Sequence, residues 1–271
     1  MTKCWFDYKT VIVTGASSGI GREFAKQLKE KWCIKEFWLV ARRKERMEAL
    51  AEELGIQARI ISADLCTEEG VNAVRAALES EKPEIDVLIN AAGFGKFGAH
   101  DQISESDTVR MIDLNVKALV LITHMSLPYM KRGGHIIQMG SGSCFTPLPN
   151  FNVYAASKAF VLHYTKALYY EVKKYGVSAT AFCPGWVHTE FLDAAGVDKS
   201  VNRPKQTKPL LNVETVVEGC LDAARRGKKM FVTNWFTKMQ HVLFKILPDG
   251  ILSALWLKMQ VNAENGEKEE E

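Results

Sequence analysis

Short apolar runs alternate with helix-like segments along most of the chain, and this alternation constrains the fold more than any other feature. The runs are rich in β-branched and aromatic residues and cover 10–15, 36–41, 58–65, 85–93, 135–141, 177–185 and 230–234. Nearly continuous hydrophobicity is typical of strands covered on both faces, and the intervening helices join such strands into βαβ units. The pattern predicts an α/β fold with a doubly wound, mostly parallel sheet of about seven strands and helices on both faces.

The alternation places one domain over residues 1–234. It is broken by residues 187–211, which carry two prolines and several polar residues. We expect this stretch to be a long connection that acts as a lid over the substrate. We also expect the helix before the run at 135–141 to end near Arg132.

Beyond the domain, residues 235–263 form a predicted amphipathic extension, and 264–271 form a charged tail that we expect to be disordered. The aromatic residues of the extension could close over the pocket, make a subunit contact or rest on a membrane surface. Its apolar segments are too short between breaks to span a bilayer, so we expect at most a peripheral membrane contact.

The balance of charge and the cysteine pattern exclude several classes of protein. With 35 basic and 32 acidic residues the net charge is only +3, which gives no reason to expect a nucleic-acid partner. The six cysteines are scattered without a CxxC pair, so neither a metal site nor a disulfide framework is predicted. The N-terminal residues lack the pattern of a signal peptide, and a cytoplasmic location is expected.

The sequence TGASSGIG at 14–21 lies directly after the first strand and before a helix. Glycines let the backbone turn tightly and approach a pyrophosphate, while the helix N-terminus offers free N–H groups. A glycine cluster alone could be only a strand-to-helix turn, but its place in the first βαβ unit favours a dinucleotide site. The residues expected to bind the dinucleotide here are Gly15, Ser17, Ser18, Gly19, Ile20 and Gly21.

Two arginines follow the second strand, about twenty residues beyond this turn. An acidic residue there would hold the ribose 2′-OH of NAD, whereas an arginine accommodates the 2′-phosphate of NADP. Arg42 occupies the position, with Arg43 beside it, so we expect chiefly Arg42 to face the 2′-phosphate and predict NADP(H) in preference to NAD(H). The alternative is that both are solvated charges at the start of a surface helix.

The pattern Tyr-x-x-x-Lys occurs three times, and it places a phenol and an ammonium group on one helix face. A nearby ammonium group favours the phenolate, so the tyrosine can exchange a proton with a carbonyl or alcohol oxygen. Only the first pair, Tyr154 and Lys158, is preceded by a serine, Ser141, from which a loop can bring the chain back to the tyrosine. The other pairs, Tyr169 with Lys173 and Tyr170 with Lys174, are predicted to be ordinary surface pairs.

Together these motifs resemble the short-chain dehydrogenase/reductase family, in its single-domain branch. The resemblance implies a Rossmann-like fold and reversible hydride transfer between NAD(P)H and a ketone or secondary alcohol. It implies that Tyr154 is the general acid/base, that Lys158 binds the nicotinamide ribose and lowers the tyrosine pKa, and that Ser141 polarises the substrate oxygen. It also implies that Asn115, in the sequence LNV, sustains a proton-relay water.

Further coenzyme contacts follow from the same resemblance. The motif residues implied are Asp64 and Leu65 for adenine, Asn90, Ala91 and Gly93 along the coenzyme, and Pro184, Gly185, Val187 and Thr189 on the carboxamide side of the nicotinamide. Two positions depart from the family pattern. Ser18 stands where many NADP-preferring relatives carry a basic residue, and Gly140 replaces a common serine, with Ser143 as a possible substitute donor.

Mainly apolar residues near these motifs are expected to form the substrate pocket, which predicts a hydrophobic, steroid-like or lipid-derived substrate. An enzyme for small polar carbonyls and a non-catalytic NADP-sensing or scaffold protein are the alternatives. A homodimer or homotetramer is expected from the resemblance, and light scattering would measure it. The predicted pocket residues are Ser141, Ser143, Phe94, Phe97, Phe145, Leu148, Trp186, Phe191 and Leu192.

Overall fold

A computed structural model describes residues 10–32, 34–195, 203–204, 210–244 and 246–261. Its strands are β1 (Thr10–Thr14), β2 (Glu36–Ala41), β3 (Gln57–Ser62), β4 (Ile85–Asn90), β5 (Met130–Met139), β6 (Ser178–Cys183), β7 (Arg203–Pro204), β8 (Met230–Val232) and β9 (Gln260–Val261). Its α-helices are α1 (Gly19–Lys31), α2 (Lys44–Leu54), α3 (Glu68–Glu81), α4 (Glu105–Ile112), α5 (Leu119–Ser126), α6 (Asn152–Glu171), α7 (Phe191–Ala194), α8 (Val213–Arg225), α9 (Trp235–Leu243) and α10 (Asp249–Lys258).

Seven strands form one parallel sheet in the order β3-β2-β1-β4-β5-β6-β8, and β7 pairs with β9 in a separate antiparallel ribbon. Alternate residues of β1 enter different cores. Val11 and Val13 pack with Phe24 on one face, while Ile12 packs with Trp38 on the other. Both faces of the sheet are therefore covered, and the predicted doubly wound, Rossmann-like architecture is confirmed.

The strand order reverses between β1 and β4, and this switch point is where open α/β sheets bind ligands. The two strands exit side by side. The Thr14 hydroxyl accepts a hydrogen bond from the Ala92 N–H at 3.1 Å. The chain that follows β1, with its glycine turn, therefore lies against the chain that follows β4.

The helix expected to end near Arg132 ends earlier, so that boundary prediction is wrong. A π-helical turn (Asp113–Ala118) links α4 to α5, and a short 3-10 turn (Leu127–Tyr129) precedes β5. Pro128 lacks an N–H and cannot continue the helix. Strand β5 begins at Met130, and a bulge between its pairings with Ile85 and Val87 absorbs the extra residues.

Only part of the predicted lid belongs to the described residues. Its two ends are joined, because the Leu211 N–H donates to the Trp186 carbonyl at 2.8 Å and the His188 N–H donates to the Leu211 carbonyl at 3.1 Å. The charged tail at 264–271 lies outside the described residues. None of the described helices is long and apolar enough to cross a membrane.

His135 on β5 gives the fold a pH dependence that can be measured. Burial lowers its pKa to about 4, and its Nδ1 lies 2.8 Å from the Ser178 hydroxyl. Because the unfolded chain takes up this proton near pH 6.5 and the folded chain only near pH 4, the contribution to stability is complete above pH 6.5 and is lost as the pH falls towards 4. We expect His135→Gln to remove up to about 3 kcal/mol of the acid-dependent fall in the free energy of unfolding.

Urea denaturation at several pH values would measure this effect. The exposed His163 supplies the matched control, since His163→Gln should leave the pH profile of the wild type unchanged. Parallel profiles for wild type and His135→Gln between pH 4 and 6.5 would contradict the assignment.

Candidate active site

The glycine turn after β1 is built so that the backbone of two strand exits can meet. Gly15 has φ +71°, and its N–H donates to the Val40 carbonyl at 2.8 Å. A Cβ at this position would lie 2.8 Å from the Ala92 nitrogen. A Cβ on Gly21 would likewise collide with the Gly15 carbonyl. Side chains are therefore excluded at both positions, because the backbone of the glycine turn packs directly against the chain after β4 and against the start of α1.

The start of α1 fits a pyrophosphate. Its N-cap residue, Ser18, makes no side-chain capping bond, and the first turn carries no acidic residue. The N–H groups of this turn and the positive end of the helix dipole are thus not met by a capping hydroxyl or a carboxylate from the helix itself. The turn therefore offers the N–H donors and the positive potential that a bound pyrophosphate needs.

Of the two predicted arginines, Arg43 is the one that reaches the turn. Its Nη2 donates to Ser18 Oγ at 2.7 Å and to Ser17 Oγ at 3.2 Å. The side chain of Arg42 is exposed, and its carbonyl accepts a hydrogen bond from the Ser62 hydroxyl at 3.2 Å. The structure thus brings Arg43 rather than Arg42 to the glycine turn.

Two of the residues predicted along the coenzyme, Asp64 and Asn90, make hydrogen bonds to other parts of the protein. Asp64 accepts hydrogen bonds from Arg110 at 2.8 Å and from the Cys66 N–H at 3.0 Å. Burial raises the pKa of Asp64, but these hydrogen bonds outweigh it and leave the pKa below the usual range. The side chain of Asn90 is buried and donates to Thr123 at 3.0 Å, so it holds β4 to α5.

The segment predicted on the nicotinamide side lies near both the serine and the glycine turn. The Pro184 carbonyl accepts a hydrogen bond from the Gly142 N–H at 2.7 Å, and the Gly185 N–H donates to the Thr233 hydroxyl at 3.2 Å. A Cβ on Gly19 would lie 3.4 Å from the methyl group of Thr189. Residues 184–189 therefore run from Ser141 back to the start of α1.

Tyr154, Lys158 and Ser141 come together at the carboxyl edge of the sheet, as predicted. Burial raises the pKa of the Tyr154 phenol, which differs from the lowered pKa that the resemblance implies, and the Ser141 hydroxyl lies near enough to lower the pKa in part. Lys158 is 2% exposed, its Nζ donates to the Met139 carbonyl at 2.8 Å and lies 5.6 Å from the centre of the Tyr154 ring. Burial lowers the pKa of Lys158 to about 8. The phenol is thus protonated at neutral pH, beside an amine that is still mostly charged there but releases its proton more easily than an exposed lysine.

Asn115 sits in the π-helical turn, which aims its amide at the chain after β4. Its Oδ1 accepts from the Phe94 N–H at 3.1 Å, while its Nδ2 donates to the Phe94 carbonyl at 2.9 Å and to the Ser157 hydroxyl at 3.1 Å. A Cβ on Gly93 would lie 2.9 Å from Asn115 Oδ1 and 3.2 Å from Lys158 Nζ. The π turn therefore places Asn115 beside Lys158, with Gly93 between them.

Ser143 offers a second hydroxyl near Ser141. Its N–H donates to Ser141 Oγ at 3.2 Å and so helps to orient that hydroxyl. Its own Oγ is buried and has no hydrogen-bond partner among the described residues. A buried hydroxyl without a partner costs free energy unless a ligand satisfies it, which fits the predicted contact with substrate.

The other two Tyr-x-x-x-Lys pairs lie on the surface at the end of α6. Tyr170 is 59% exposed, and its hydroxyl accepts from Lys229 at 2.9 Å rather than pairing with Lys174. Lys173 lies over the rings of Tyr169 and Tyr170, at 5.0 and 5.7 Å from their centres. Both lysines and Tyr170 are exposed, so these pairs lie on the surface as the sequence predicted, although only Tyr169 and Lys173 contact each other.

Aromatic side chains cover Tyr154. Its ring centre lies 4.4 Å from that of Phe151 and 5.4 Å from that of Phe191, and Phe151 in turn stacks on Phe97 at 3.9 Å. Phe94 and Leu148 belong to the same cluster. Of these six residues, all but Phe151 were predicted to be site or pocket residues, and the structure brings them together.

Two predicted pocket residues lie at or beyond the edge of this cluster. Trp186 is 37% exposed and contacts it through Phe97, with ring centres 6.1 Å apart. Phe145 packs elsewhere, against His241 of α9 at 4.1 Å, together with Cys144. The prediction that Phe145 lines the pocket beside Tyr154 is not supported, because the 3-10 turn after Ser141 directs its ring to α9.

Sequence reasoning missed two large members of the cluster, Phe151 and Met111. Trp256 also belongs to the cluster, and closure over the pocket was one of the placements considered for the aromatic residues of the extension. The indole of Trp256 on α10 donates to the Pro149 carbonyl at 2.8 Å, and Gln260 donates to the same oxygen at 3.0 Å. Phe151 stands three residues before Tyr154, a local signal that could have found it. Trp256 has no such signal, since its partner is remote in sequence.

Comparisons with known proteins agree with this geometry. A family model described as short chain dehydrogenase matches residues 9–199. Serine 3-dehydrogenase of Agrobacterium fabrum is 35% identical over 187 residues, covering 67% of this chain and 73% of that protein. The NADP-dependent 3-hydroxy acid dehydrogenase of Salmonella typhimurium is 34% identical over 215 residues, covering 77% and 86%.

A solved structure extends the likeness to the fold. The short-chain dehydrogenase from Sphingobium yanoikuyae, determined in complex with NADPH, superposes with a TM-score of 0.74 at 28% identity and covers 89% of this chain and 96% of that one. The resemblance drawn from the motifs is therefore confirmed. The chain belongs to the short-chain dehydrogenase family and is an NAD(P)-dependent oxidoreductase acting on CH–OH and C=O groups.

Proposed function

We propose that the protein reversibly transfers hydride between NADP(H) and a hydrophobic ketone or secondary alcohol. The observation that carries the proposal is the grouping of Ser141, Tyr154 and Lys158, in which the phenol is buried, the Ser141 hydroxyl lies near it and Lys158 Nζ lies 5.6 Å from its ring centre. A protonated phenol held beside a second hydroxyl can donate a proton to a carbonyl oxygen, which is what carbonyl reduction requires. A scaffold protein would have no need to keep this arrangement.

In the reducing direction each residue has a separate role. The bound nicotinamide coenzyme supplies the hydride. Tyr154 donates its phenolic proton to the carbonyl oxygen, and Ser141 donates a hydrogen bond to the same oxygen. The positive charge of Lys158 stabilises the phenolate that remains, while the Met139 carbonyl fixes its Nζ. Asn115 keeps the Phe94 peptide in place beside the lysine.

NADP(H) is favoured as coenzyme by Arg43, whose planar guanidinium suits a phosphate. It lies against Ser17 and Ser18 of the glycine turn. The relative from Salmonella typhimurium is NADP-dependent by name, and the solved relative from Sphingobium yanoikuyae binds NADPH. No acidic residue stands at the end of β2 to hold a ribose 2′-OH.

The aromatic cluster around Tyr154 favours a hydrophobic substrate. Phe191 on α7 and Phe97 after β4 are the rings that such a substrate would meet, and flat or alicyclic carbon skeletons pack well on ring faces. Small polar carbonyl compounds are the second candidate, because the relatives from Agrobacterium and Salmonella act by name on serine and on 3-hydroxy acids.

A panel of carbonyl compounds would separate the two candidates. We expect NADPH oxidation with bulky cyclic and long-chain ketones at kcat/KM values at least tenfold above those for serine-derived or 3-oxo acid substrates, because burying apolar surface contributes about 25 cal/mol per Å². The measurement is the loss of NADPH absorbance under identical conditions, repeated with NADH. Turnover of only the small polar members would contradict the hydrophobic assignment, and no turnover of any member would favour a scaffold role.

A further inference from the structure

One acidic residue at the start of the lid contacts the arginines of the coenzyme site. Glu190 follows Thr189 directly, and its carboxylate accepts a hydrogen bond from Arg43 Nη1 at 3.0 Å. Arg46 Nη1 reaches the same carboxylate, at 2.7 Å from one oxygen and 3.0 Å from the other. The two guanidinium groups and the carboxylate therefore form a bridge between α2 and residues 187–195.

Arg43 also holds the glycine turn, so its donors are divided. Nε and Nη2 face Ser17 and Ser18, whereas Nη1 is taken by Glu190. A guanidinium has five N–H donors in a fixed plane and binds an oxyanion best through two of them at once. A carboxylate on Nη1 thus occupies part of the surface that an incoming phosphate needs.

The bridge is exposed enough for a phosphate to displace it. The side chains of Arg43 and Glu190 are 41% and 53% exposed, so water already weakens their attraction. The arginines lower the pKa of Glu190, and its carboxylate is ionised at neutral pH. A phosphate with more than one negative charge can compete for these donors, but a ribose hydroxyl cannot.

We propose that Glu190 is a specificity-determining residue, a carboxylate that competes with the 2′-phosphate of the coenzyme for Arg43 and Arg46. The proposal rests on the proposed use of NADP(H). Glu190 weakens the binding of any 2′-phosphorylated coenzyme in two ways, because it occupies guanidinium donors and because it repels a second anion nearby. It leaves the affinity for a coenzyme without the 2′-phosphate nearly unchanged.

The test uses the full chain and two fragments of the coenzyme, adenosine 2′,5′-bisphosphate and adenosine 5′-monophosphate, titrated by calorimetry. Glu190→Gln keeps the shape of the side chain and removes its charge. We expect the bisphosphate to bind about three to ten times more tightly to Glu190→Gln than to the wild type, the range that loss of an exposed ion-pair network allows. The monophosphate should bind both proteins with the same Kd.

Glu53 gives a matched control, since it is another exposed glutamate bridged to two basic residues, Arg22 and Lys26. Glu53→Gln should bind both fragments like the wild type. If the bisphosphate bound Glu190→Gln no more tightly than the wild type, or less tightly, the role of Glu190 would be overturned while the coenzyme choice stood. If the wild type showed no preference for the bisphosphate over the monophosphate, NADP(H) itself would be the wrong coenzyme.

Discussion

Replacing Tyr154 by phenylalanine is expected to lower kcat/KM for carbonyl reduction by about 10²- to 10⁴-fold, the usual contribution of a positioned general acid. The Tyr154 phenol is buried, and Lys158 Nζ lies 5.6 Å from the centre of its ring, so the lysine can stabilise the phenolate that proton transfer leaves behind. The variant keeps the ring that packs on Phe151 and Phe191, so its fold and its Kd for NADPH should remain close to those of the wild type.

The chain supplies its own control for this experiment. Tyr170 has a lysine four residues later, as Tyr154 does, but its hydroxyl is exposed and bonded to Lys229. Tyr170→Phe should retain full activity. Steady-state kinetics with NADPH and the best ketone of the panel, together with coenzyme titration, give the comparison. Equal activity of the two variants would mean that another group donates the proton.

Features encoded by short stretches of sequence were predictable. Continuous apolar runs such as Ile85–Asn90 specify buried parallel strands, since all six residues of β4 are buried. The glycine turn was predictable because its spacing follows from backbone contacts that exclude a Cβ. The choice of Tyr154 over Tyr170 followed from helix geometry, because Ser157, the serine thirteen residues before Tyr170, lies on the same helix and is therefore about 20 Å away from it.

Features that depend on distant contacts were not predictable. The sequence favoured Arg42 over Arg43, and the structure reverses this order, because the start of α2 turns Arg43 towards Ser17 and Ser18. Which aromatic residue of the extension joins the cluster around Tyr154 was not predictable either, since Trp256 does so through the return of α10 to the Pro149 carbonyl. The early start of β5 at Met130 depended on a β-bulge in its pairing with β4, whereas Pro128 was a local signal for the end of the helix.

A methyl group at Gly15 is expected to damage both the fold and the coenzyme site. Alanine would pay about 1–2 kcal/mol for the left-handed backbone at φ +71°. Its Cβ would also press on the peptide of Ala92 from 2.8 Å, and relieving such a clash costs a further 1–3 kcal/mol. We expect Gly15→Ala to lower the free energy of unfolding by about 3 kcal/mol and to weaken NADPH binding more than tenfold, because the turn must move away from β4.

A substitution at Gly55 measures the cost of the left-handed backbone conformation without the clash of the Cβ. It is also left-handed, at φ +56°, but a Cβ there meets nothing within 4 Å. Gly55→Ala should therefore lose only about 1–2 kcal/mol in urea denaturation and bind NADPH like the wild type. If the two variants lost the same stability and both kept the coenzyme, the contact between the glycine turn and the chain after β4 would not be what holds the site together.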